Sequence, residues 1–181
     1  IAFYGAFSET MRQESKNALA LFWQKLSKKL KQREAILFAY CQVLAEHKIT
    51  EPLNKILLPV VKKGADIKFL QNIRLLPISA ADELISVVQK HLHHDQHSGK
   101  WLSCLANLAA KSQQLPMAEK AFNSLVNLDG QQYDITDLLA FSHVLEQQGD
   151  FQKANQVLNK VVAQTDAHQN DVLQKNNGNQ A

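Results

Sequence analysis

Four histidines crowd one short string: His91, His93, His94 and His97 lie with Asp95 between Lys90 and the Ser98-Gly99 pair. Imidazole nitrogens bind transition metals and haem iron, and a carboxylate can add an oxygen ligand. On a helix His91 and His94 share a face, which His97 extends if the helix continues. Ser98 and Gly99 mark a helix end about there, and protonated imidazoles in a last turn also offset the partial negative charge of a helix C-terminus. The spacing supports a simple reading, exposed histidines ending a helix with no metal and no cofactor. It also supports an alternative, a haem, tetrapyrrole or metal carrier using His91, His94 and His97 with His93 nearby.

A second concentration of chemistry is basic. Lys25, Lys28, Lys29, Lys31 and Arg33 fall within nine residues, and residues 1–100 carry 15 Lys and Arg against 9 Asp and Glu, while residues 101–181 carry 5 against 8. Such a run attracts anionic lipid or an acidic partner; its plainer role is a solvated helix junction. Nucleic acid is not an expected partner, because the whole chain is only mildly basic at net +3 and shows no recognition motif.

Catalytic constellations are missing from the sequence. There is no glycine-rich phosphate loop, no paired-cysteine metal spacing and no nucleophile beside a base in a known motif, so an enzyme is not expected. The two cysteines, Cys41 and Cys104, each sit inside an apolar helical pattern and read as small buried hydrophobes.

The elements that must position these groups are helices. Apolar residues recur near a 3.6 period at Leu19, Phe22, Trp23, Leu26 and Leu30 and again at Leu84, Ile85, Val88 and Leu92, with no sustained alternation of period two. Only six glycines and four prolines leave little for a turn-rich β fold, and 181 residues at 45% hydrophobic suffice for one substantial core. Nine or ten helices are expected, with residues 66–77 the least regular stretch. Ser79 with Asp82 and Asp134 with Asp137 have the spacing of helix-start caps, and Lys62-Lys63-Gly64 that of a helix end.

The strongest pattern is a repeat of 36 residues: Leu102 pairs with Leu138, Leu105 with Phe141, Ala106 with Ser142, Leu115 with Phe151, Ala118 with Ala154, Phe122 with Leu158 and Leu125 with Val161. Small residues fall where two antiparallel helices of one hairpin must approach, and bulky ones fill the next layer. A period close to ~34 residues with this pattern marks the tetratricopeptide class, whose hairpins stack because none buries its apolar face alone. The expected fold is therefore all-α, a superhelix of antiparallel hairpins. Its organisation is an N-terminal helical region, 1–97, containing a degenerate repeat at about 35–62, two repeats over 98–164, and a disordered polar tail, 165–181. In the degenerate copy Pro52 takes the close-packing position, tolerated if Thr50 caps the helix. The start, Ile1 to Phe7, reads as a frayed end and is far shorter than the ~20 residues of a membrane span.

In stacked hairpins the first helix of each lines a concave groove. The register puts Ser103, Asn107 and Lys111 there from one repeat, Leu139, His143 and Gln147 from the next, and Leu37 and Cys41 from the degenerate copy. With Leu139 and His143 at clamp positions, an extended or helical protein segment is a better ligand than a peptide carboxylate.

The order of these parts resembles a known family. The segment Leu21 to Lys31 with its Trp23-x-x-x-Ser27-x-Lys29 spacing, Ala39 to His47, the Arg74-Leu75-x-Pro77 segment, Trp101 opening a repeat and Gln148 to Ala154 closing the series are similar to the C-terminal tetratricopeptide region of the HemY family, over roughly residues 1–163. The resemblance implies a non-catalytic scaffold that organises or regulates haem biosynthesis, with late haem-biosynthetic enzymes as partners. It also implies residence at the bacterial inner membrane through a preceding anchor, the cytoplasmic face being favoured. Pro52 and the Asn/Gln-rich tail depart from the family pattern.

Overall fold

The computed structural model describes residues 2–13, 16–78, 81–95 and 97–177, with side chains for 2–12, 16–78, 81–95 and 97–165. The described residues form eleven helices and no strand: α1 Ala2–Gln13, α2 Lys16–Lys25, α3 Lys28–Lys31, α4 Glu34–Glu46, α5 Leu53–Lys63, α6 Ile67–Ile73, α7 Asp82–His94, α8 Gly99–Lys111, α9 Leu115–Val126, α10 Ile135–Gln147 and α11 Phe151–Asn177. The fold is a tetratricopeptide-like array of antiparallel helical hairpins, with α8–α9 and α10–α11 its two regular units.

One backbone device makes these hairpins. After α8 the chain turns through Gln113 at φ 59°, and after α10 through Gly149 at φ 83°, a position one repeat later. In each turn the next N–H reaches back five residues, from Gln114 to the Ala109 carbonyl at 2.9 Å and from Asp150 to Leu145 at 2.9 Å. This left-handed closure satisfies carbonyls that the helix end would leave bare. The same turn follows α4, where Lys48 has φ 59° and Ile49 donates to Leu44 at 2.8 Å, but six residues separate α4 from α5 against three within each later hairpin.

The alanines sit where the repeat demands. Ala106, Ala118 and Ala154 are fully or almost fully buried, which lets paired helix backbones approach, while Phe122 and Phe141 stack at 5.3 Å to tie one hairpin to the next. Each such buried aromatic contributes about 1.5–3 kcal/mol of transfer free energy. Helix ends follow local chemistry: Asp134 and Asp137 form a reciprocal capping box at α10, and α5 stops at Lys63 before Gly64 at φ 87°. The Ser79 cap lies outside the described residues.

Three expectations need correction. The start is helical rather than frayed, because Phe7 is buried in an aromatic cluster with Phe22, Trp23 and Tyr40, the last two stacked at 4.1 Å. The backbone of residues 165–177 continues α11 where composition pointed to disorder; extending a formed helix costs far less than starting one. Pro52 precedes α5 as its N-cap rather than lying inside a helix capped by Thr50.

Candidate partner-binding groove

The face of α8 that carries Ser103, Asn107 and Lys111 is not open. The irregular segment after α6 lies across it, and the two are joined by an extensive polar network. Asp66 caps α6 by accepting from the Phe69 N–H at 2.7 Å; the helix ends at Ile73, and Leu76 and Ile78 are buried while Leu75 points to solvent. Between them Arg74 projects inward. Its Nη1 donates to Asp137 Oδ1 at 2.8 Å and to Ser103 Oγ at 3.3 Å, and its Nη2 donates to Asp134 Oδ2. Asp137 Oδ1 also accepts from Ser103 Oγ at 2.6 Å and Asn107 Nδ2 at 3.0 Å. Lys111 closes the other end of the segment, donating its ammonium protons to the carbonyls of Arg74 and Leu76.

The electrostatics follow from burial. Burial pulls the Arg74 guanidinium down, but the two carboxylates outweigh it and raise its pKa. Burial likewise pushes Asp134 up, and its bonds from Arg74 and from backbone N–H groups reverse this, holding it below the usual value. Lys111 has no carboxylate, and burial lowers it to about 8 with the Arg74 charge adding to the effect. Burial also drives the Cys104 thiol up to about 12 and raises that of Cys41, so neither is a poised nucleophile.

This arrangement corrects most of the groove set. Leu37 and Cys41 belong to the core of α4 rather than to a groove. Ser103 and Asn107 are buried under Arg74, and Lys111 is half-buried against the backbone of the segment. Only Leu139, 48% exposed, with His143 and Gln147 on α10, remains open to a partner. Ser103, Asn107 and Lys111 share one face of α8, and the chain itself covers that face. Two signals pointed there: a lone cation, Arg74, flanked by Ile73, Leu75 and Leu76, and Asp137 standing where the preceding repeat has Trp101. A charge at an inward position demands an ion partner.

The histidines divide. His91 turns inward, its ring stacked on Trp101 at 4.1 Å and 6°, with Nε2 2.9 Å from the Val61 carbonyl. His93 and His94 stack on each other at 5.9 Å on the surface, and His97 lies in the exposed turn beyond. His91, His94 and His97 are therefore not brought together, and among the described residues no group of three or more His, Cys, Asp or Glu could hold a metal ion. In the basic run Lys25, Lys28, Lys29 and Arg33 are exposed, whereas Lys31 is half-buried and donates to the Gln24 carbonyl at 2.8 Å. No described helix is long and apolar enough to cross a membrane.

No protein-family model and no curated protein matches this sequence. Among solved structures the chain is similar to MamA, residues 41 to the end, from Desulfovibrio magneticus RS-1, at 13% identity over 92% of this chain and 94% of that one, with a TM-score of 0.49. The fold assignment rests on the hairpins and turns described above.

Proposed function

We propose that this domain is a non-catalytic protein-interaction scaffold of the HemY type, organising or regulating late haem-biosynthetic enzymes at the cytoplasmic face of the bacterial inner membrane. The observation that carries the scaffold reading is the exposed face of α10, where Leu139, His143 and Gln147 meet solvent beside the face of α8 that the chain itself covers. An apolar side chain in line with two polar ones suits a protein segment better than a small ligand. The haem and membrane parts of the proposal draw on the similarity of the Trp23 to Lys29 and Arg74 to Pro77 segments to that family. The exposed Lys25, Lys28, Lys29 and Arg33 supply a surface that anionic lipid would attract.

The test is retention of purified late haem-biosynthetic enzymes by the immobilised protein. One enzyme is retained, and Leu139→Asp with His143→Asp releases it; retention of none, or retention indifferent to both changes, refutes the proposal. Vesicles containing phosphatidylglycerol bind the protein less after Lys25, Lys28 and Lys29 are changed to Glu, and unchanged binding removes the membrane-surface element.

A further inference from the structure

Three helices of the chain, α9, α10 and α11, enclose a cavity of about 170 Å³ that the groove on α10 does not use. Its floor is apolar and reaches the core: Leu138 and Phe141 are 0% and 1% exposed, with Val126 and Val157 beside them. Its rim is cationic, since Lys153 and Lys160 stand two turns apart on one face of α11 and no carboxylate lines the space. The repeat does not ask for either charge. One period earlier the same positions are Met117, packed against the core, and Ser124, whose hydroxyl donates back to the Lys120 carbonyl at 3.0 Å. Two of only five cations in the acidic half, residues 101–181, are thus placed on one apolar cavity.

We propose that this cavity is a binding site for a small amphipathic carboxylate, with a branched or aromatic apolar group on the Phe141 floor and the carboxylate at Lys160. Charge fixes the head group. Lys153 is already held by Glu119 Oε1 at 2.6 Å, whereas Lys160 forms no ion pair among the described residues, so the rim balances one further negative charge and not two. Gln156, between the two lysines, adds an amide donor to the same oxygen-binding edge. Size fixes the tail. An apolar cavity of ~150 Å³ takes up benzene, so one side-chain-sized group fits here and a long acyl chain does not. The apolar floor and the few convergent polar groups are the ordinary make-up of a ligand site.

The test is a titration of the intact, isotope-labelled chain, followed at the side-chain amides of Asn123, Asn127 and Gln156, and it is independent of the scaffold proposal. Two probes separate the sources of such a group: isocaproate as a free acid, and the peptide Gly-Gly-Ser-Leu with a free C-terminus. At least one gives a saturable shift, and whichever binds more tightly identifies the source. Its uncharged counterpart, isocaproamide or the amidated peptide, binds about tenfold or more weakly. Lys160→Met, at an exposed position that leaves the fold intact, weakens binding by about tenfold, while Lys55→Met on α5 leaves it unchanged. Val157→Phe fills the space and abolishes binding without altering any charge. No saturable shift with either probe up to about 10 mM, equal binding of acid and amide, or indifference to Lys160→Met overturns the proposal.

Discussion

Arg74 and Asp137 meet at 2.8 Å across 63 residues of sequence, with only 7% and 2% of their side chains exposed. The pair joins the irregular segment after α6 to the first turn of α10, and Ser103 and Asn107 of α8 complete the shell around it. Three parts of the array are thereby held by one carboxylate that also closes the α10 capping box.

Removing one partner strands the other in the interior. Arg74→Met is expected to cost about 3–5 kcal/mol in denaturant unfolding and to lower Tm by about 10 °C. The double variant Arg74→Met with Asp137→Leu costs less than the sum of the two single changes, because neither charge of that pair is then left buried without the other. Additive losses would show that the pair is not coupled.

Stability depends on pH at both ends. Asp134 and Glu119 are held below their ordinary 3.8 and 4.5, Asp134 by the bonds that outweigh its burial and Glu119 chiefly by Lys153. With folded pKa values depressed, their contribution is complete above the unfolded values and is lost as pH falls through the folded ones. Lys111 gives the opposite limb. Its folded value of about 8 lies below the ordinary 10.5, so between these the unfolded chain binds more protons and stability rises with pH. Urea midpoints across that window rise for the native chain and flatten for Lys111→Met.

Close helix approach sets a limit on side-chain size. Ala118→Leu and Ala154→Leu, at two buried alanines in equivalent places, each cost about 1–3 kcal/mol by overpacking. Tolerance of leucine at both would show that the hairpins are not packed backbone to backbone.

The left-handed turn offers a gain. Gln113 holds φ 59° where the next repeat has Gly149, so Gln113→Gly should raise stability by up to about 1 kcal/mol. Thermal unfolding reads the sign directly, and a loss would count against the turn assignment.

His91 is expected to behave unlike its neighbours. His91→Ala forfeits the Trp101 stack and the Val61 contact, about 1–2 kcal/mol together, while His93→Ala changes stability by under about 0.5 kcal/mol. Equal effects in chemical denaturation would refute a structural role for His91.

Much of this molecule was written locally. The 36-residue register located Ala106, Ala118 and Ala154, and the spacing of cap residues located the capping box at Asp134 and the end of α5 at Gly64, because helix period, caps and turns are set by residues within a few positions of one another. Leu139, His143 and Gln147 recur every four residues on one face of α10 and all three meet solvent. Whether a helix face is covered depends on chain that arrives from far away: Arg74 comes from 29 residues before Ser103, and nothing in the spacing of α8 records its arrival. The inward turn of His91 is of the same kind, since it is fixed by Trp101 on the next helix and by the Val61 carbonyl on an earlier one. Residues close together in the chain set the helices, their hairpin turns and the faces they could bury. Tertiary structure alone decided which of those faces the chain spends on itself, because packing is a contest among distant segments for the same surface, and local periodicity is blind to who wins it.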